Sequence, residues 1–275
     1  MRGLRTLFPA VCAMALVVGC ATSPLGRRQL QLFPESQMRS MGVQAYQQMQ
    51  KETPSLKDKQ VTDFVHCVVD GLTRAVPQKY ARSGWEVTVF KSKQVNAFAL
   101  PGGKIGVYSG LLHVTDNGAQ LAAVLGHEMG HVIADHGNER MSTQFASDAG
   151  LAVIQAIAGT QSRERQQALA LLGLGAQVGV ILPFSRTQET EADLIGLDLM
   201  AKAGFDPHES VALWQNMSKS GGKSPPEFLS THPANDTRIH DLRKRLPHAE
   251  QLYQRARAEG HTPSCNKPAN IPKVG

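Results

Sequence analysis

The stretch Leu121-Ala122-Ala123-Val124-Leu125-Gly126-His127-Glu128-Met129-Gly130-His131 sets two histidines and a glutamate into an otherwise apolar run. Leu121, Val124, Leu125 and His131 recur at helical spacing, and Asn117 ahead of them is a residue type that caps helices, so the stretch predicts a helix starting there. Residues four apart on a helix lie one turn above each other. His127 and His131 can therefore reach one metal ion, while Glu128 can reach a water beside it. Two imidazoles and a carboxylate buried among Ala, Leu and Val cost free energy unless something polar satisfies them, which favours a metal site.

A catalytic zinc ion takes three protein ligands and keeps one position open, so a further ligand must come from elsewhere in the chain. Glu189-Thr190-Glu191-Ala192-Asp193 is the candidate source. Glu189 and Asp193 are again four apart. If Glu189 binds the metal, Asp193 is placed to accept a hydrogen bond from a ligand imidazole, His127 above all. Read alone, 189–193 is an ordinary acidic helix surface; its occurrence beside an H-E-x-x-H is what raises it to a ligand segment. A closed structural zinc site would have no use for Glu128.

Outward from these motifs the pattern predicts a mainly helical α+β domain. Helices are expected over about 35–51 and 57–76, the second with Val61, Phe64, Val65, Val68, Val69 and Leu72 on one face. Between 85 and 108 the period becomes that of strands. Trp85 to Val89 alternates, and Ala97 to Leu100 and Ile105 to Tyr108 flank Pro101-Gly102-Gly103, giving a small sheet with a hairpin beside the metal-site helix. Residues 151–182 are apolar and Gly-rich, but Arg163, Glu164 and Arg165 interrupt them, which argues for packed helices or a lid rather than a membrane span. Further helices are expected from about 187 to 203, ending at Gly204, from near Pro207, and at about 234–245 and 248–259.

The start of the chain reads as an address. Arg2 and Arg5 precede the apolar run Leu7 to Val18, too short for a stable span, and Val17-Val18-Gly19-Cys20 resembles a site where bacterial lipoproteins are acylated and cut. Residues 1–19 are thus expected to be a signal peptide, with Cys20 the lipidated first mature residue and 20–34 a polar tether. Ala21 follows the cysteine in place of the Asp with which such signals retain a lipoprotein at the inner membrane, so the resemblance implies the periplasmic side of the outer membrane. Without residues 1–19 the formal charge falls from +6 to +4, since two arginines and no acids are removed. No basic block stands out, so nucleic acid is not the implied partner. Cys67 and Cys265 form an even pair in an oxidising compartment, and a disulfide between them would pin the tail, 261–275, to the second helix.

His127, Glu128 and His131, the segment from Ser185-Arg186 to Asp193, and Asn96-Ala97-Phe98-Ala99-Leu100-Pro101-Gly102-Gly103 together resemble the zinc metallopeptidases that include HtpX and the CAAX prenyl proteases. Within that family the chain is similar to the periplasmic lipoprotein branch typified by LoiP, YcaL and BepA, without the tetratricopeptide extension. The resemblance implies a zincin-like peptidase domain over 35–260 and one zinc ion per chain. It implies His127, His131 and Glu189 as ligands, so that Glu191 is not one, and Glu128 as catalytic base. It implies that Asn96, Ala97, Phe98 and Ala99 form an edge strand pairing with extended substrate, although the Phe98 and Leu100 side chains read as core. Ser230-Thr231-His232-Pro233 with Arg238 matches a further family pattern. His232 either stabilises the oxyanion or closes the open metal position, and Arg238 orients that loop or Asp193. The implied task is quality control, the hydrolysis of misfolded or unassembled envelope proteins, with outer-membrane assembly machinery as a possible partner. The competing reading is a latent peptidase acting mainly as a chaperone or binding factor.

Overall fold

The computed structural model describes residues 20–81, 84–157, 184–220, 227–232 and 236–273. The leader-like segment 1–19 and most of the apolar stretch 151–182 lie outside the described residues. No helix among those described is long and apolar enough to cross a membrane.

The chain opens with a two-stranded hairpin, β1 (Cys20–Thr22) and β2 (Arg28–Leu30), followed by helices α1 (Glu35–Glu52), α2 (Lys59–Ala75) and the short α3 (Gln78–Ala81). Strands β3 (Glu86–Phe90), β4 (Ala97–Leu100) and β5 (Lys104–Tyr108) come next, then a 3-10 turn over Ser109–His113. The elements described after it are all helices: α4 (Gly118–Ile133), α5 (His136–Ile157), α6 (Arg186–Lys202), α7 (His208–Ser220), α8 (Glu227–Thr231) and α9 (Asp236–Ala258).

Helix α2 starts where the Asp58 side chain accepts the amide of Val61. The six residues expected on one face of it are all buried at 3% exposure or less. That stripe packs on α4, whose Leu121, Val124, Leu125 and Met129 are fully buried. On its other side α4 packs along α6, and α9 covers α6 in turn. The metal-site helix is therefore the centre of the molecule, enclosed by α2, α6 and the sheet.

The sheet has the order β3-β5-β4. β3 runs parallel to β5 with Val87 opposite Ile105, and β4 runs antiparallel to β5 with Phe98 opposite Gly106. The far edge of β4 has no strand partner among the described residues. The Phe98 ring lies over Gly106, where a Cβ would be only 2.1 Å from it, and stacks in a cluster with Phe90 and Tyr108. Its side chain is core, as expected for an apolar residue of this stretch.

Two expectations are corrected. The C-terminal region forms one helix, α9, although it contains Pro247. A proline inside a helix removes a hydrogen bond at a cost of about 3 kcal/mol. Here an apolar face continues across it through buried Leu242, Ala249 and Ala256, and Arg245 beside it pairs with Asp198 at 2.6 Å. The second correction concerns 20–34, which is no loose tether. Gln29 donates to the carbonyl of Ala134 at 2.7 Å, Ser142 Oγ accepts the amide of Leu32 at 2.8 Å, and Asn138 donates to the carbonyl of Phe33 at 2.7 Å. The hairpin and the residues after it thus find partners at the end of α4 and on α5 that composition alone does not disclose.

Cys67 and Cys265 are joined in a disulfide with Cα atoms 5.6 Å apart. It fastens the irregular tail to α2, and Lys267 adds a hydrogen bond to the carbonyl of Thr115 at 2.7 Å.

Candidate metal centre

Asn117 caps α4 by accepting the amide of Gln120, and the helix then carries His127, Glu128 and His131 inward, each at 3% exposure. Ser185 and Gln188 form a capping box that starts α6 one turn before Glu189. Glu189 and Asp193 consequently face α4, while His232 follows α8 and Arg238 lies in the first turn of α9. Ligand atoms of His127, His131, Glu189 and His232 all lie within 4.8 Å of one another.

Nε2 of His127 and Nε2 of His131 are 3.1 Å apart, and they stand 3.5 and 3.4 Å from the two carboxylate oxygens of Glu189. His232 approaches through Nδ1, 2.9 Å from Glu189 Oε1 and 3.2 Å from His127 Nε2. Behind this cluster, Asp193 Oδ1 lies 2.9 Å from Nδ1 of His127 and accepts Nη2 of Arg238 at 2.7 Å. Arg238 Nη1 is 3.1 Å from Glu189 Oε2 and 3.4 Å from the carbonyl of His232, so it touches both elements it was expected to choose between. Its guanidinium lies over the Trp214 ring at 3.6 Å.

Burial drives the titration of these groups apart. It would raise Glu189, but hydrogen bonds from His127, His131 and His232 outweigh it and hold that carboxyl well below its usual range. Burial pulls His131 well below its ordinary value and pushes Glu128 above its own. Burial and Arg238 would lower His127, yet Asp193 and Glu189 lift it to about 9. Glu189 ionised and His131 neutral are in the state metal ligation requires, whereas His127 must give up its proton on binding the ion.

The donor set suits zinc: two imidazoles, one carboxylate and a nearby unligated glutamate. Glu128 Oε1 is buried and makes no hydrogen bond, with His232 Nε2 3.5 Å away, as expected of a group placed for a metal-bound water, whereas Glu189 Oε2 is held by the Arg238 ion pair. One cleft next to them is lined by Asn96 to Leu100, Glu128, Arg140, Phe184 and His232. The β4 edge and the donor cluster thus share an opening.

A model of peptidase family M48 matches residues 59–246, more than half of the chain. The chain belongs to peptidase family M48. M48 enzymes are zinc metallopeptidases, in keeping with the donor set. The mitochondrial metalloendopeptidase OMA1 of Schizosaccharomyces pombe is 38% identical over 168 residues, covering 60% of this chain and 48% of that protein. The mitochondrial OMA1 metalloendopeptidase of Danio rerio is 32% identical over 268 residues, 92% of this chain and 53% of that protein. The beta-barrel assembly-enhancing protease of Yersinia pestis is 32% identical over 212 residues, covering 75% of this chain and 43% of that relative. The chain spans about half the length of the curated relatives it matches.

These relatives overturn the expected location. Four relatives at 37 or 38% identity are mitochondrial metalloendopeptidases, so a lipid-anchored position on the periplasmic side of an outer membrane does not stand. The address was read from 1–19 and Cys20. What the family match covers, residues 59–246, is the metal site and the helices packed around it, and such packing is indifferent to compartment.

Two residues of the centre escaped the sequence reading. His136 is fully buried with Nδ1 2.9 Å from Nδ1 of His131, and Glu191 lies 3.1 Å from its Nε2. Helical phase from His131 does not predict that contact, because Asp135, at φ 52°, breaks the helix between them. Phe184, stacked on His131 at 3.7 Å, was also missed, since an aromatic ahead of a cap carries no distinctive signal.

Proposed function

We propose that this chain is a zinc-dependent endopeptidase that hydrolyses peptide bonds in misfolded or unassembled envelope proteins and rests in a latent state closed by His232. The observation that carries the reading is the buried Glu128 carboxylate, free of hydrogen bonds at Oε1, beside the cluster of His127, His131 and Glu189.

Zinc bound by His127, His131 and Glu189 supplies Lewis acidity, which lowers the pKa of water and polarises a peptide carbonyl. Glu128, raised by burial, takes the proton of the attacking water and delivers it to the leaving amine. Substrate lies extended along β4, where the backbone of Asn96, Ala97, Phe98 and Ala99 holds it and side-chain preference stays loose. Asp193 and Arg238 hold His127 in orientation.

His232 offers Nδ1 to the same point as the other three donors. That position favours closure of the fourth coordination position over an oxyanion role, and His232→Ala is expected to raise turnover; a fall would assign the oxyanion role instead. The relatives named for beta-barrel assembly support β-barrel proteins as a substrate class.

Cleavage of unfolded casein by the purified chain, inhibited by chelation and absent in Glu128→Gln, is the expected result. Zinc-independent cleavage would overturn the proposal.

A further inference from the structure

His131 turns Nε2 toward the donor cluster and Nδ1 away from it, and that Nδ1 lies 2.9 Å from Nδ1 of His136. Nε2 of His136 lies 3.1 Å from Glu191 Oε2, and the same oxygen accepts Nε–H of Arg27 at 3.0 Å. Arg27 also donates through Nη2 to Glu139 at 2.6 Å, and Gln188 donates to that carboxylate at 2.8 Å. A continuous path therefore runs from α4, through the first residue of α5 and the second turn of α6, to the β1–β2 hairpin.

The direction of these bonds follows from imidazole chemistry. A neutral histidine that gives Nε2 to a metal keeps its proton on Nδ1 and can only donate there. His136 must then accept at Nδ1, which places its own proton on Nε2, pointed at Glu191. The carboxylate receives that proton donor and Arg27 together, a charge-assisted arrangement. His127 has its carboxylate directly, in Asp193 at 2.9 Å. His131 has none in contact on its Nδ1 side, and His136 spans the gap.

We propose that His136 and Glu191, anchored by Arg27, are positioning residues that fix the tautomer and ring orientation of His131 and thereby set the affinity for zinc. The hairpin is then part of the metal centre rather than a passive lead-in, and its undocking weakens metal binding. The proposal rests on His131 being a zinc ligand.

Zinc affinity of the purified full chain, measured by competition with a chromophoric chelator, tests it. His136→Ala and Glu191→Ala are expected to weaken binding about 10- to 100-fold. Arg27→Ala, at a side chain one quarter exposed, is expected to weaken it severalfold. His136→Asn restores an acceptor near the position of Nδ1 and recovers most of the loss, whereas His136→Leu fills the space and recovers none. Equal affinity for the Asn and Leu variants, or wild-type affinity in Arg27→Ala and Glu191→Ala, would overturn the relay; if the His136 variants fail to fold, Arg27→Ala and Glu191→Ala decide. His131→Ala separates the two layers. Undiminished zinc binding there refutes the ligand assignment itself, while loss there with unchanged affinity in the relay variants refutes the relay alone.

Discussion

Gly126 on α4 and Gly196 on α6 face each other with no side chain between them. A Cβ on Gly196 would stand 2.6 Å from the amide nitrogen of His127, and one on Gly126 2.9 Å from the carbonyl oxygen of Gly196. The two backbones can therefore meet, which brings Glu189, two turns before Gly196, to the histidines of α4. Gly196→Ala is expected to force the helices apart, destabilising the fold by about 1–3 kcal/mol and weakening zinc binding. Denaturant unfolding and chelator competition on the same preparation check both effects. Unchanged zinc affinity would show that the helix spacing does not set the site.

The H-E-x-x-H spacing, the helix cap at Asn117, the face of α2 and the hairpin of β4 and β5 were all legible in sequence, because each rests on local periodicity or capping. The pair Glu189 and Asp193 was legible for the same reason. What escaped depends on contacts between segments far apart in the chain. Gln29 and Arg27 look like tether residues until their partners on α5 and α6 are seen. His136 lies beyond a backbone reversal that periodicity does not reveal, and Pro247 sits in a helix because packing on α6 outweighs its local preference.

The Cys67–Cys265 bond closes a loop with a sequence separation of 198. Chain entropy allows at most about 5 kcal/mol for such a loop. Cys265→Ser is expected to lower the unfolding free energy by about 2–5 kcal/mol and to make the tail beyond α9 accessible to proteases. Reduction of the wild type should reproduce the shift, and a melting temperature insensitive to both would contradict the role given to the bond.

Burial pushes Glu139 up, but hydrogen bonds with Arg27 and Gln188 outweigh it and hold its pKa below the ordinary 4.5. A carboxyl depressed on folding contributes stability that is present above its unfolded pKa and lost as pH falls through the lower folded value. Glu139→Gln should therefore be less stable than wild type at neutral pH, with the gap closing below about pH 4.5. Unfolding curves between pH 3 and 7 measure it; a gap that widens in acid would contradict the pairing.

His232 contacts Glu189 and His127 from the cleft side. Its removal is expected to raise casein turnover at least severalfold while leaving one zinc per chain, read by metal analysis beside the rate. Loss of the metal together with activity would instead make His232 a needed ligand.

The most direct test combines that variant with the base. Casein hydrolysis is compared for wild type, His232→Ala and His232→Ala with Glu128→Gln, each with and without a zinc chelator. A zinc peptidase closed by His232 requires cleavage by His232→Ala that chelation abolishes and Glu128→Gln eliminates while zinc stays bound. Cleavage that survives Glu128→Gln, or its absence from every zinc-loaded form, would contradict it.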